Sequence, residues 1–375
     1  MKVEQLSLKG ATWKNSITQI EIIPNIILLF VSPLFKEKNE LVSQIIKLYP
    51  YATIAGCSTA GEISGISVSD NSVALTAIQL EKVSHKMVKV AVKSMDESFD
   101  AGMTLAHQLD SKDLSHVLVF SDGLNVNGAD LVSGLKSVLP ATSITGGLAA
   151  DGSNFNETFV IANNTISDRI ILGLGFYGDQ LKVGYSSKGG WDSFGMDRLV
   201  TKSVNNVLYE LDGLPALELY KSFLGNNAKN LPGSGLLFPL SMRVNEHDTP
   251  VVRTILCVSE EDQSLTFAGN IPEGAYVRLM KANVDRLIGG AEDSAKNAFA
   301  ATKQNAELAI LISCVGRRLV LKQLVEEEVE VVREIIGQHP KITGFYSYGE
   351  IAPFGVFSPC ELHNQTMTIT TLSEC

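Results

Sequence analysis

Two short segments carry the residue types that could do chemistry. "TIAGCSTAGEI", Thr53 to Ile63, offers Cys57, Ser58, Thr59 and Glu62. "KITGFYSYGEI", Lys341 to Ile351, offers Tyr346, Ser347, Tyr348 and Glu350. With Gly56 aligned on Gly344, Gly61 falls on Gly349, Glu62 on Glu350 and Ile63 on Ile351. Each segment reads as a buried strand entering a loop whose glycines admit close approaches barred to other residues. In α/β sheets such loops gather at the carboxyl ends of strands, where ligands bind. These eight side chains are therefore candidates for a ligand-binding wall. The competing reading is structural: each glutamate holds the buried main-chain amides of a tight turn.

Two arginines are the other candidates. Arg253 lies in "VVRTILCV" and Arg317 follows "LISCVG" at a strand end. A guanidinium beside a buried strand needs a partner, and its fork suits a carboxylate. The pair reads either as a clamp on an acidic or amino-acid-like ligand, or as internal partners of Glu350 or Glu273. Cys57, where a strand meets a turn, raises the alternative of a Cys57-dependent hydrolase or transferase. That chemistry needs an activating base. The six histidines (85, 107, 116, 247, 339 and 363) are isolated in sequence, and none is tied to Cys57. No metal-ligand spacing, phosphate loop or G-x-S-x-G is present. No catalytic residue or metal ligand is assigned, and the expectation is a protein that is not an enzyme.

The elements that must position these residues repeat along the chain. "NIILLFVS" is a strand, "NELVSQIIKLYP" a helix and "SVALTAIQL" a closing strand around the first loop. "LAILISCVGR", "QLVEEEVEVVREIIG" and "LHNQTMTITTL" have the same roles around the second. A weaker third copy runs from "HVLVFSDGL" through "GADLVSGLKSVLP" and "SITGGLAADG" to a closing strand, "ETFVIAN". Strand–helix–strand units of this kind imply partly parallel sheets covered by helices. "RIILGLGFYGDQLKVGYSS" reads as a hairpin turning at Gly178-Asp179. "DGLPALELYKSFLG" reads as a helix, and "NNAKNLPGSG" after it is the best linker candidate. "NVDRLIGGAEDSAKNAFAATKQN" reads as a further helix. The expected fold is α/β, two domains at 22–225 and 226–375. Both are built from related strand–helix–strand units with mixed, partly parallel sheets and β-hairpins.

Length and composition agree. A chain of 375 residues is long for one ordinary core. A net charge of −10 argues against nucleic acid and anionic membranes as partners. The longest apolar runs are far too short to span a bilayer. The five cysteines are odd in number and scattered, as expected of reduced cytoplasmic thiols.

With these residues collected, the sequence resembles the FIST family, named for F-box and intracellular signal transduction. "GCSTAGEI", "DGLPALELYKSFLG", "VVRTILCV", "LTFAGNIPEGAYVRLM", "SCVGRR", "GFYSYGEIAPFG" and "ELHNQTMTITTL" carry the resemblance, in order, from about Asn25 to Leu372. It implies an N-terminal and a C-terminal FIST domain in a stand-alone, cytoplasmic bacterial sensor of a small ligand, with amino acids proposed. A subgroup of similar layout binds haem b, senses nitric oxide and regulates a partner histidine kinase. Haem iron needs an axial imidazole or thiolate in an apolar pocket, and the family motifs supply none. His363, in "LHNQT", is expected to be buried and bonded to the main chain. His247, in "RVNEHDTP", is expected to be solvated. A homodimer is expected on the frequency of symmetric dimers alone.

Overall fold

The computed structural model describes residues 1–248, 250–302, 305–354 and 358–375. Gly355 of the second loop segment, Thr249 of the polar loop and Lys303 and Gln304 of the last predicted helix lie outside the described residues.

Three equivalent units build the mixed α/β core, the copy that is weaker in sequence being as complete as the other two. The first has strand Ile26–Val31, helix Lys38–Leu48, strand Thr53–Ser58 and return strand Ser72–Gln79. The second has Leu114–Ser121, helix Gly128–Val138, Ser143–Leu148 and return strand Ile170–Tyr177. The third has Leu308–Cys314, helix Glu327–Ile336, Lys341–Ser347 and return strand Met367–Glu374. In each, the first two strands are parallel and the return strand is antiparallel to the first. Lys2–Lys9, Ser84–Ala91 and Leu181–Lys188 add an outer strand to each return strand.

The glycines fix the correspondence. Gly56, Gly146 and Gly344 lie opposite Leu29, Val119 and Leu311 in the parallel registers. A Cβ at these glycines would stand 1.8, 2.0 and 1.8 Å from the facing carbonyl oxygens. No other residue fits there, so the glycine of Ile54-Ala55-Gly56, Ile144-Thr145-Gly146 and Ile342-Thr343-Gly344 marks a packing constraint shared by all three units.

The units are interlocked by exchanged hairpins. Glu62–Ser64 and Ser67–Ser69 leave the first unit and pair on Lys341–Ser347 of the third. Val160–Ala162 and Thr165–Ser167 leave the second and pair on Thr53–Ser58 of the first. Gly349–Pro353 and Cys360–His363 leave the third and pair on Ser143–Leu148 of the second. Ile63, Ile161 and Ile351 thus occupy equivalent positions, opposite Gly344, Gly56 and Gly146. The exchange is cyclic, so each of the three six-stranded core sheets depends on two units. Phe30, Phe120 and Phe345 meet at the centre with ring centroids 4.8–6.1 Å apart. Their edge-on and tilted contacts fill the space between the sheets.

A fourth, eight-stranded sheet is inserted between Leu181–Lys188 and helix Val284–Ala301. Its strands include Trp191–Val204, Val207–Leu211, Leu240–Arg243, Val251–Arg253 and Tyr276–Ala282, with helix Ala216–Leu224 packed on it. The sequence division at 225/226 falls inside this sheet.

Four local expectations change. Ile170–Tyr177 and Leu181–Lys188 are not a hairpin: the first pairs on unit two, the second on unit three. "ETFVIAN" supplies the exchanged hairpin, and the closing strand of the second unit is Ile170–Tyr177. "LHNQTMTITTL" is not one strand, because it turns at Gln365, whose φ is 65°. The strand before Arg317 ends at Cys314, and a helix starts at Val315, so Arg317 lies in that helix.

Candidate functional site

The two loops that opened the sequence reading converge, but on the packed interior. Ala60 N donates to Tyr346 O and Tyr346 N to Gly61 O, which locks the first loop against the third unit. Ser58 O accepts from Ala150 N, and Tyr348 N donates to Leu148 O, which adds the second. Cys57, Ser58, Thr59, Glu62, Tyr346, Ser347, Tyr348 and Glu350 are all buried.

Each side chain in these loops has an internal partner or packing role. Glu62 accepts from the Thr59 hydroxyl and from Ser72 through N at 3.2 Å and Oγ at 2.5 Å. Glu350 accepts from Ser347 Oγ at 2.5 Å and from Thr366 through N at 3.2 Å and Oγ1 at 2.9 Å. Burial pushes these carboxyls up to about 7 and about 8, against the pull of those hydrogen bonds. The second unit's hairpin has Val160 at the equivalent place, opposite Cys57. Ser58 Oγ accepts from Phe159 N at 3.1 Å. The Tyr348 hydroxyl donates to Asp151. Cys57 belongs to the same apolar cluster as Phe30, Phe120 and Phe345. Burial pushes its thiol well up, the opposite of what activates a nucleophile.

The arginines separate. Arg317 is fully buried in an ion pair with Glu328, Nη2 to Oε2 at 2.8 Å, and not with Glu350 or Glu273. Its Nε reaches the same oxygen at 3.1 Å, and its remaining donors bond the carbonyls of Gly189 and Leu287. Glu328 also accepts from Tyr346 OH at 2.6 Å and Ser313 Oγ at 3.2 Å. Arg317 therefore knits the inserted sheet's entry, two helices and the third unit together.

Arg253 is different. It is 6% exposed, and its hydrogen bonds run to main-chain carbonyls: Nε to Asn270 at 3.3 Å, Nη1 to Val252 at 3.3 Å and Leu362 at 3.0 Å. Among the described residues, no carboxylate pairs with it within 4.0 Å. Desolvation pushes its guanidinium down to about 10, with Glu361 opposing the change. It lines a cleft of about 880 Å³ between helix Gly128–Val138, strand Cys360–His363 and the inserted sheet. Lys136, Arg243, Asn270, Phe354 and Glu361 share the wall. Arg243 bonds Asp197 at 2.7 Å, yet its buried Nε has no acceptor among the described residues.

Asn270 couples the cleft to the core. Its amide donates to Asp130 Oδ1 at 2.6 Å, and its Oδ1 accepts from Asn127 Nδ2 at 2.7 Å. Asn127 in turn caps helix Gly128–Val138 through Ala129 N and Asp130 N. Asn270, Arg243 and Lys136 were missed in sequence. Asn270 sits in "LTFAGNIPEG", which carries the family resemblance, but nothing in its spacing links it to Arg253.

The residues do not fit a haem ligand set. His116 is buried with Nδ1 on Ser143 at 2.8 Å and Nε2 on Thr145 at 3.1 Å. His363 is buried and bonded to Ala352 O at 2.7 Å, as expected from its motif. Burial pushes these imidazoles down to about 3 and about 4. His85 is half-buried on Thr53, and His107, His247 and His339 are exposed. None of the six lines the described cavities. Cys57, Cys314 and Cys360 are buried, and burial pushes their thiols up, away from ligating thiolate. Among the described residues no cluster of three or more His, Cys, Asp or Glu could hold a metal ion, and no helix is long and apolar enough to cross a membrane.

Two family models match this chain. The FIST N domain model matches residues 25–214 and the FIST C domain model residues 216–353. An uncharacterized protein, MJ1623, from Methanocaldococcus jannaschii is 26% identical over 330 residues, 81% of this chain. The match spans 62% of that relative's length. A crystal structure of a cyanuric acid hydrolase from A. caulinodans covers 100% of this chain and 99% of its own, with 7% identity and a TM-score of 0.37. The chain belongs to the FIST family, whose domains are regarded as sensory modules of signalling proteins.

Proposed function

We propose that this protein is a ligand sensor in signal transduction, and that its ligand is a small organic anion, an amino acid or a related carboxylate. The observation that carries this reading is Arg253: a buried cation on the wall of a large cleft, with hydrogen bonds to carbonyls and no carboxylate partner among the described residues. A buried, unpaired charge is costly, and an incoming carboxylate would offset that cost. The cleft lies between the inserted sheet and the three-unit core, so a ligand there touches both. Asn270 bonds Arg253 and the start of helix Gly128–Val138 together, and gives a route from ligand to core. The output is a signalling partner, for which the family resemblance implies a sensor histidine kinase. The reading requires no catalytic step. Among the described residues no histidine lines the cavities described above, and an absorption spectrum of the purified protein, with and without hemin, tests the haem-based nitric oxide sensing of the subgroup independently.

The direct test is calorimetry with L-glutamate, L-aspartate, the neutral amino acids and succinate on the full chain and on Arg253→Met. At least one of these anions should bind the parent. A charge-assisted contact of about 1.5–3 kcal/mol corresponds to roughly a 10- to 150-fold loss in the variant. Failure of the whole panel at millimolar concentration, or equal binding by Arg253→Met, would overturn the assignment.

A further inference from the structure

The inserted sheet holds a second cavity with the opposite character. Strands Trp191–Val204 and Tyr276–Ala282 pair from Trp191 to Phe194 and again from Arg198, but the register breaks between Phe194 and Arg198. Gly195, at φ 81°, turns the chain outward there. The break leaves Phe194 51% and Met196 73% exposed, although both are large apolar side chains. Beneath them is a cavity of about 200 Å³ lined by Leu211, Tyr220, Leu240, Val277 and Leu279, with Phe223 and Arg198 also on its wall.

The chemistry of the lining is almost wholly apolar. Tyr220 spends its hydroxyl on Phe238 O at 2.7 Å, so its ring is what remains for the cavity. Arg198 is held by Asp212 at 3.0 Å, and its guanidinium lies 5.7 Å from the Phe223 ring centroid. A cavity with few polar partners does not hold water well, and one of about 150 Å³ suffices for benzene. Three aromatic rings and a thioether favour a flat aromatic guest over a saturated one, because rings stack edge or face and sulfur sits well at a ring edge.

We propose that this cavity is a second ligand site, for a small uncharged aromatic molecule of benzene to indole size, with Phe194 and Met196 at its mouth. The site takes no carboxylate, because its single cation is already paired with Asp212. It is therefore distinct in chemistry from the Arg253 cleft, and its failure would leave that assignment standing.

Indole is the probe, titrated into the full chain by calorimetry and followed by saturation-transfer NMR. Saturable one-to-one binding is expected. Leu279→Trp, which places bulk in the cavity, should weaken it at least tenfold. Should that variant misfold, Phe194→Ala and Met196→Ala decide: both residues are exposed, so the melting temperature should hold while affinity falls several-fold. No saturable binding by the parent overturns the site. So does binding that survives the mouth substitutions, or survives Leu279→Trp in a folded protein.

Discussion

Glu350 should make this protein less stable as pH rises through neutrality. It is fully buried, and burial raises its carboxyl from an ordinary 4.5 to about 8. The folded state therefore keeps a proton that the unfolded state has already lost. Between those two values the folded form binds about one proton more, and unfolding free energy falls by about 1.4 kcal/mol per pH unit. Glu62 acts in the same direction over a shorter window, from 4.5 to about 7. Both contributions are fully present below pH 4.5 and are lost as pH climbs through the folded values. The full effect is on the order of 5 kcal/mol from Glu350 and 3 kcal/mol from Glu62. Glu350→Gln mimics the neutral acid, with its amide oxygen accepting from Thr366 and its NH2 able to donate to Ser347 Oγ. Urea unfolding at half-unit steps from pH 5 to 9 reads the effect. The parent should lose stability up to about pH 8, whereas the variant should level off near pH 7 and be the more stable of the two above it. Parallel curves for parent and variant from pH 6 to 9 would show that Glu350 is not held neutral, and the reasoning from burial would fail.

Two further outcomes follow from buried groups. Glu328→Gln leaves Arg317 buried without its counter-charge and should cost about 3–5 kcal/mol in urea unfolding. The double change Arg317→Met with Glu328→Leu removes both charges and should recover much of that loss; equal instability of both variants would contradict it. Under native conditions a thiol reagent should titrate Cys257 and Cys375 rapidly, and Cys57, Cys314 and Cys360 only on unfolding. Fast labelling of Cys57 would instead support the nucleophile reading.

Much of the fold was legible because it rests on short-range rules. Apolar runs such as Ile26–Val31 and Leu308–Cys314 read as buried strands, and both are buried strands. What failed depends on partners distant in sequence. Ile170–Tyr177 and Leu181–Lys188 look like a hairpin because a turn joins them, yet each finds a better ladder in a different unit. Periodicity names a strand without naming its neighbour. The same limit hid the exchange of hairpins, since Glu62–Ser64 and Gly349–Pro353 are short and gain their place only against Gly344 and Gly146.

The three-fold repetition is visible in the residue order alone, because the glycine at each parallel crossing leaves no room for a Cβ and therefore marks itself. That order also gives two loops matching carboxylates. What those carboxylates face depends on how the chain packs. Glu62 and Glu350 turn inward onto their own loops, and Arg317 finds Glu328. Arg253, alike in sequence, is left with carbonyls beside a cleft. The physical reason is that a charged side chain's role is set by what lies within a few ångströms of it. For the two glutamates those neighbours lie within sixteen positions along the chain, whereas Arg317 and Arg253 also reach carbonyls 128 and 109 positions away.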